Sequence, residues 1–164
     1  MIGHLSDTHL GAMPYNLKER EEDFYQAFDE VIQTMVKDHV EAVIHAGDIF
    51  DIPKPGGTAL VKFLNGLKVL KENGIKFFFT MGEHDISRLP GIPSPFLFEE
   101  IDLATYVGEG KPLTYRDITI AGFHKHRKTE IEDLRQRLTA LDSETAGVGG
   151  KKLLVLHQGL LEFH

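Results

Sequence analysis

Acidic residues and histidines follow several of the apolar segments of this chain. In chain order, these polar groups are Asp7-Thr8-His9, Gly47-Asp48, Gly82-Glu83-His84-Asp85 and His157-Gln158-Gly159. Carboxylates and imidazoles without thiols are ligands that suit Mn, Fe or Zn. The pattern therefore predicts a metal centre that is assembled from separate loops.

The spacing of these groups suits a pair of ions. Asp7 and His9 are two residues apart, so both side chains can turn toward one ion where a strand breaks into a loop. Asp48 has two carboxylate oxygens and can bridge two ions. Two ions about 3.5–4 Å apart clamp the attacking and leaving oxygens of a phosphoryl group. Taken singly, an Asp after a strand is usually a turn or cap residue, but the recurrence at four strand ends favours the metal centre.

The segments that position these groups alternate between strands and amphipathic helices. Strands are predicted at 1–7, 41–48, 75–80, 117–123 and 152–159, and helices at 18–37, 58–70 and 129–141. A Pro-rich loop at 89–95 leads to a short helix and a further strand near 104–108. The alternation predicts an α/β fold, with a largely parallel sheet whose two faces are covered by helices. The carboxyl ends of such strands share one edge, where ligands bind.

The composition excludes several classes of protein. The chain has 164 residues, 41% of them hydrophobic and 26% charged, which suits one domain or a part of one. It has no Cys, which excludes disulfides, thiolate catalysis and Cys-based zinc sites. No apolar stretch reaches the length of a membrane span and no signal peptide is present, so we expect a cytoplasmic protein. A net charge of −7 argues against nucleic-acid binding through a broad basic surface.

Four stretches of the chain resemble the successive motifs of calcineurin-like metallophosphoesterases. They are "HLSDTHLG", "HAGDIFD", "GEHD" and "LVLHQG". "DTHLG" followed by "REEDFYQAFDEVI" is more similar to the SbcD-type DNA double-strand-break repair nucleases than to other phosphoesterases. The resemblance covers essentially the whole chain. It implies a layered sandwich with a largely parallel central sheet flanked by helices.

The same resemblance implies an activity and a set of partners. The activity is a manganese-dependent nuclease, with exonuclease action on DNA ends and endonuclease action on single strands, in double-strand-break repair. The partners are DNA, a second copy of the chain and an SMC-like, SbcC-type ATPase, at the nucleoid of a prokaryote. The helices at 18–37 and 58–72 are the candidates for the contact between the two copies.

Carried over residue by residue, the resemblance assigns roles around two divalent ions, which we expect to be Mn²⁺. Asp7 and His9 would hold one metal, Asp48 would bridge, and His157 would hold the second metal. His84 corresponds to the catalytic histidine, which stabilises charge or protonates the leaving oxygen. Asp85 is expected to orient the residues of this site without binding an ion itself.

Two positions depart from the family pattern. Glu83 stands where the family has Asn, and it either ligates a metal with an added negative charge or turns away from the site. Asp51 stands where the family often has His, and it either orients a neighbouring histidine or caps the turn before Pro53. Either departure bears on the rate of the reaction more than on the fold.

The third departure concerns length. The family continues to a Gly-His-x-His motif that completes both metal shells, then to a capping domain and a partner-binding tail. Residues 1–164 are therefore expected to be the N-terminal portion of a nuclease domain, with a weak or empty second metal site. His164 is in the wrong context to replace the motif. An incomplete natural site is the other interpretation.

Several histidines and basic residues lie outside the motifs. His124, His126 and Arg127 follow the fourth main strand and are candidates for contacts with the DNA backbone, although a solvated loop explains them as well. His4 and His45 lie within apolar strands and are predicted to be core residues. Two further functions stay open: a metallophosphodiesterase of small molecules, and a DNA-binding or dimerisation module that has lost catalysis.

Overall fold

Two β-sheets pack face to face, with helices on the outer face of each. The computed structural model describes residues 1–159, so His164 lies outside the described residues. The strands are β1 (Ile2–Leu5), β2 (Ala42–His45), β3 (Lys76–Phe79), β4 (Thr105–Tyr106), β5 (Leu113–Tyr115), β6 (Ile118–Phe123) and β7 (Lys151–Leu156). The α-helices are α1 (Lys18–Lys37), α2 (Gly57–Glu72), α3 (Phe96–Glu100) and α4 (Ile131–Thr145).

The first sheet is parallel, in the order β1-β2-β3-β4. Its register pairs Leu5 with His45 and His45 with Phe79, so the first three strands end level with one another. Because successive side chains of a strand point to opposite faces, Phe77 and Phe79 lie on one face and Phe78 on the other. The level strand ends bring three of the polar groups to one edge, as predicted.

Helices α1 and α2 cover one face of the first sheet. Phe28 and Ile32 of α1 and Phe63 and Leu67 of α2 are buried against Phe77 and the other side chains of that face. These residues recur at the three- and four-residue spacing of an amphipathic helix, which is why both helices were predictable. Within residues 1–159, no helix has the length and apolar character needed to cross a membrane.

The opposite face of the first sheet is covered by a second sheet, and here the prediction of helices on both faces was wrong. The second sheet has the order β5-β6-β7, with β5 and β6 antiparallel and β6 and β7 parallel. Ile44 and Phe78 pack against Ile120 and Val155 between the sheets. Helix α4 lies on the outer face of the second sheet. The fold class remains α/β, as a layered sandwich.

Histidines within the strands have different environments. His45 is fully buried, as predicted, whereas His4 is exposed, so the prediction of a core residue was wrong there. β1 is an edge strand among the described strands and His4 faces a cleft beside β7. The apolar neighbours of His4 in sequence do not reveal this, because burial depends on what covers each face.

Candidate metal centre

Loops that follow β1, β2, β3 and β7 converge at the edge where the strands of the first sheet end. Backbone hydrogen bonds join the first two loops, because the N–H of Asp7 donates to the Gly47 carbonyl (3.0 Å) and the N–H of His9 donates to the Asp48 carbonyl (3.1 Å). The loop after β6 joins the loop after β3 through the N–H of Lys125 and the Met81 carbonyl (2.9 Å). Both sheets therefore contribute to one site.

Three acidic or histidine residues of this site have left-handed backbone conformations. The φ angles are 54° for Asp7, 40° for His9 and 54° for Asp48. Residues other than Gly rarely adopt such angles, which cost about 1–3 kcal/mol each and persist only where the surroundings enforce them. The backbone bonds between the loops supply that constraint, and such strain is concentrated at functional sites.

Two glycines allow the loops to approach closely. Gly47 has a φ of 108°, and a Cβ there would lie 2.6 Å from His157 Nδ1 and 2.7 Å from the Gly82 backbone nitrogen. A Cβ on Gly82 would overlap the carboxylate of Asp48 and lie 2.7 Å from its backbone nitrogen. The position of the Asp48 side chain therefore depends on the absence of a side chain at Gly82, and the position of the His157 ring depends on the absence of one at Gly47.

A first cluster consists of Asp7, Asp48 and His157, each with one ligand atom within 4.8 Å of the others. Asp48 is buried, and its Oδ2 lies 3.4 Å from His157 Nε2. His157 Nδ1 donates to the Ala46 carbonyl at 2.8 Å, which leaves Nε2 as the nitrogen that can bind an ion. The backbone N–H of His84 donates to Asp48 Oδ1 (2.9 Å) and orients that carboxylate.

A second cluster consists of His9, Asp51 and His84, again with ligand atoms within 4.8 Å of one another. His9 Nδ1 lies 3.4 Å from Asp51 Oδ1, and the rings of His9 and His84 meet edge to face at 4.8 Å. His84 Nδ1 donates to the Asp51 carbonyl (2.7 Å). Asp48 lies between the clusters, because its Oδ2 is 3.8 Å from His9 Nε2.

This grouping differs from the predicted one. Asp7 and His9 were predicted to share one ion; by mutual distance of their ligand atoms, Asp7 groups with Asp48 and His157, and His9 groups with Asp51 and His84. That Asp7 and His9 bind one ion stays a prediction. Asp51 was predicted to orient a histidine or to cap a turn; its Oδ1 lies 3.4 Å from His9 Nδ1, which agrees with the first alternative, and its carboxylate also lies among the candidate ligands. The three-residue spacing between Asp48 and Asp51 is the sequence feature that could have indicated that Asp51 lies among the candidate ligands.

The charges of the first cluster are strongly coupled. Burial opposes ionisation of Asp48, but contacts with His157 and the His84 backbone N–H outweigh it and hold the pKa of Asp48 below its usual range. The contact with Asp48 raises the pKa of His157 to about 9. Because an ion binds only neutral imidazole, His157 must lose a proton when its Nε2 becomes a ligand. Ion binding at this cluster therefore becomes stronger as pH rises.

The donors of the two clusters fit divalent ions. All of them are carboxylate oxygens or imidazole nitrogens, the set that suits Mn, Fe or Zn. His9 Nδ1 is buried and has no hydrogen-bond partner among the described residues. A buried polar atom without a partner costs about 1–3 kcal/mol, and an ion bound at this nitrogen would remove that cost.

Glu83 lies at the edge of the first cluster, turned toward it. Glu83 Oε2 is 3.4 Å from His157 Nε2 and 3.2 Å from Lys125 Nζ. Of the two predicted alternatives, a ligand position or a side chain turned away, the geometry favours the first. Lys125 was not predicted to belong to the site, although it stands within the basic run "HKHRK".

One buried side chain, that of Asp85, connects the loops beneath the candidate ligands. Asp85 is fully buried and accepts hydrogen bonds from the backbone N–H groups of Ile49 (3.2 Å), Phe50 (3.1 Å) and Gly82 (3.1 Å). Asp85 thus joins the loops that carry Asp48 and His84 without touching a candidate ligand side chain. Burial raises the pKa of Asp85 to about 6, against the opposite effect of the three N–H donors.

The three residues predicted to contact the DNA backbone have different exposures. His126 is only 4% exposed, and its Nδ1 donates to the His124 carbonyl (2.7 Å), so its side chain does not reach the surface. His124 is partly buried and its ring lies beside the Tyr106 hydroxyl (2.9 Å). Arg127 is exposed. Arg137 of α4 lies 3.4 Å from His126 Nε2, so the side chain of His126 is covered. The contact of His124 and Arg127 with the DNA backbone stays a prediction.

Comparison with known proteins relates the chain to one family model and several curated proteins. The model described as calcineurin-like phosphoesterase matches residues 1–161. A protein named DNA double-strand break repair protein Mre11 from Sulfurisphaera tokodaii is 39% identical over 163 residues, which are 98% of this chain and 41% of the relative.

Proteins of the same name from two other organisms are similar to the chain as well. That of Saccharolobus solfataricus is 35% identical over 97% of this chain and 41% of the relative, and that of Methanocaldococcus jannaschii is 34% identical over 98% and 44%. The chain spans about two fifths of the length of these relatives.

Proposed function

Because the chain belongs to the calcineurin-like phosphoesterase family, we propose that it contributes the metal-binding part of a nuclease that hydrolyses phosphodiester bonds of DNA during double-strand-break repair. The proposal includes Mn²⁺ as the ion, exonuclease action on DNA ends and endonuclease action on single strands. The name shared by the relatives supports the repair context. Residues 1–164 would be the N-terminal portion of the nuclease domain.

One observation carries the proposal: two clusters of carboxylates and imidazoles lie on either side of the Asp48 carboxylate. Asp48 Oδ2 is 3.4 Å from His157 Nε2 of the first cluster and 3.8 Å from His9 Nε2 of the second. A carboxylate between two donor sets suits a centre of two ions. Glycine contacts and strained backbone angles at the same loops indicate that this convergence is a selected feature of the chain.

The residues of the two clusters would bind different ions. Asp7, Asp48 and His157 would hold one ion, and His9 with Asp51 would hold another. When bound, the ions would polarise a phosphoryl oxygen and acidify a water molecule near neutral pH.

His84 would contact the substrate. Its Nδ1 donates to the Asp51 carbonyl, which leaves Nε2 available. The same hydrogen bond raises the pKa of His84 and favours a proton on Nε2. That proton can be donated to a phosphoryl oxygen or to the leaving oxygen as the ester bond breaks.

Assembly is a second part of the proposal. Helices α1 and α2 lie side by side on the surface, and Val31 and Val61 on them are 37% and 55% exposed. We expect these helices to contact a second copy of the chain. The nuclease would act with an SMC-like ATPase of the SbcC type in the complete assembly. Light scattering of the protein with Val31→Glu and Val61→Glu tests the contact: loss of a dimer is the expected result.

The activity is tested by nuclease assays of the natural polypeptide that carries this chain. We expect Mn²⁺-dependent cleavage of linear duplex ends and of circular single-stranded DNA, and a loss of at least about 100-fold in Asp48→Asn, since removal of a ligand charge weakens both clusters. Asp117→Asn removes a carboxylate that is 71% exposed and paired with Lys151, and serves as the matched control.

The outcomes separate the proposed function from its alternatives. Cleavage that is retained in Asp48→Asn with unchanged Mn²⁺ content would refute the metal centre. Faster hydrolysis of bis(p-nitrophenyl) phosphate than of DNA would favour a phosphodiesterase of small molecules. Mn²⁺ binding without cleavage of either substrate would favour a module that has lost catalysis, and a gain of cleavage in Glu83→Asn would then identify the cause.

A further inference from the structure

A lysine and a glutamate meet across the gap between the two sheets, beside the first cluster. Glu83 follows β3 of the first sheet and Lys125 follows β6 of the second. Lys125 Nζ lies 3.2 Å from Glu83 Oε2, and the same oxygen lies 3.4 Å from His157 Nε2. The ammonium group is thus separated from a candidate ligand by a single carboxylate.

The backbone keeps Lys125 in this position. Its N–H donates to the Met81 carbonyl (2.9 Å), which joins the loop of Lys125 to the loop of Glu83 two residues before that glutamate. The Lys125 side chain is 27% exposed, whereas the Lys111 side chain, which pairs with Glu109 at 2.9 Å, is 85% exposed. The pair with Glu83 is therefore less exposed to solvent on its lysine side than the Lys111–Glu109 pair.

The cleft that contains this pair is lined by two carboxylates, one lysine and the histidines His4 and His157. It has a volume of about 370 Å³, and among the described residues that line it Lys125 is the only Lys or Arg. Asp7 and Glu83 also line it, and Asp48 lies beside them in contact with His157. A phosphodiester is an anion, so uncompensated carboxylates at this position would repel it.

We propose that Lys125 is a positioning residue that acts through Glu83. Its ammonium group offsets the charge of the Glu83 carboxylate at the edge of the first cluster, so that the site binds a divalent ion without repelling the phosphodiester. The proposal rests on the proposed function for the identity of the substrate. The coupling between Lys125, Glu83 and the ion does not depend on that function and can be measured without DNA.

A double-mutant cycle with Mn²⁺ alone tests the coupling. Isothermal titration of the natural polypeptide with Mn²⁺ gives a Kd for each variant. We expect Lys125→Met to bind Mn²⁺ about fivefold more tightly, because Glu83 loses its counter-charge, and Glu83→Gln to bind about fivefold more weakly. If Lys125 acts through Glu83, the double variant has the Kd of Glu83→Gln, because in that background Lys125 has no carboxylate partner at position 83.

Cleavage kinetics at saturating Mn²⁺ provide a second measurement. We expect Lys125→Met to raise KM for single-stranded DNA about fivefold, with a smaller change in kcat, because the exposed charge of Glu83 opposes substrate binding. In the Glu83→Gln background the same substitution should leave KM unchanged. Lys111→Met removes a lysine from an ion pair outside the clusters and should change neither Kd nor KM.

Each outcome has a defined meaning. An equal effect of Lys125→Met in both backgrounds would overturn the proposal, since Lys125 would then act on the ion or the substrate directly. An unchanged Kd in both single variants would overturn it as well. A cycle with the expected Kd values in a protein that does not cleave DNA would refute the proposed function and leave the Lys125–Glu83 coupling in place. Thermal denaturation shows whether each variant is folded.

Discussion

His45 joins the loops of the metal centre as a neutral imidazole. The Thr8 hydroxyl lies 2.9 Å from His45 Nε2 and donates its own proton to the Ile49 carbonyl (3.0 Å), so it accepts a hydrogen bond from Nε2–H. His45 Nδ1 then accepts from the Gly47 N–H (3.2 Å). A proton on Nδ1 would remove this second bond and place a charge in a fully buried position. We therefore expect the stability of the protein to depend on the protonation of His45.

The size of the change in stability follows from the pKa of His45. Burial lowers the pKa of His45 to about 3, from 6.5 in an unfolded chain. As pH falls, His45 takes up a proton in the unfolded chain at a higher pH than it does in the folded protein. The stability that neutral His45 contributes is therefore complete above pH 6.5 and decreases by about 1.4 kcal/mol per pH unit until pH reaches about 3. Between pH 6.5 and pH 4.5 the loss is about 2.7 kcal/mol, which is large beside the total of about 5–15 kcal/mol of typical domains.

Urea titrations at about pH 7.5, 6 and 4.5 measure this loss when wild-type protein is compared with His45→Gln, whose amide does not titrate. The difference in free energy of unfolding between the two proteins should shrink by about 2.7 kcal/mol from the highest to the lowest pH. His39→Asn changes an exposed histidine and should show no such trend. A difference between wild type and His45→Gln that stays constant across this pH range would refute the reasoning.

Three further substitutions test the loops and the core. Gly82→Ala places a Cβ against the Asp48 carboxylate, so we expect Mn²⁺ affinity to fall at least about tenfold by titration, whereas Gly57→Ala, with no atom within 4 Å of the added Cβ, should leave it unchanged. Asp85→Ala leaves three buried N–H groups without their acceptor, so the free energy of unfolding measured in urea should fall by about 3–6 kcal/mol. A loss under about 1 kcal/mol would contradict the assigned hydrogen bonds. Phe63→Ala removes a ring that packs 4.7–5.8 Å from four others and should cost about 3–5 kcal/mol in the same assay, and a smaller cost would indicate that the core collapses around the cavity.

The elements of the first sheet and its helices could be predicted from local sequence patterns. Each strand is a short apolar run, and each long helix has apolar residues three and four apart, so the signal lies within a single element. The polar residues that end these strands could be assigned to one edge because parallel strands run in the same direction. Asp7, Asp48, His84 and His157 were assigned to the site in this way. Their family resemblance supplied the phosphoryl chemistry.

The way in which these groups are combined could not be predicted, because it depends on contacts between different elements. Asp7 lies near Asp48 and His157, and His9 lies near Asp51 and His84. These distances are set by contacts between loops and cannot be read from the two-residue spacing of Asp7 and His9. The second sheet, the burial of His126 and the contact of Lys125 with Glu83 depend on which surfaces pack together. Hydrophobic periodicity in the sequence reflects neighbours within one helix or strand. Distances between loops are instead set by hydrogen bonds and packing between elements that are far apart in the chain.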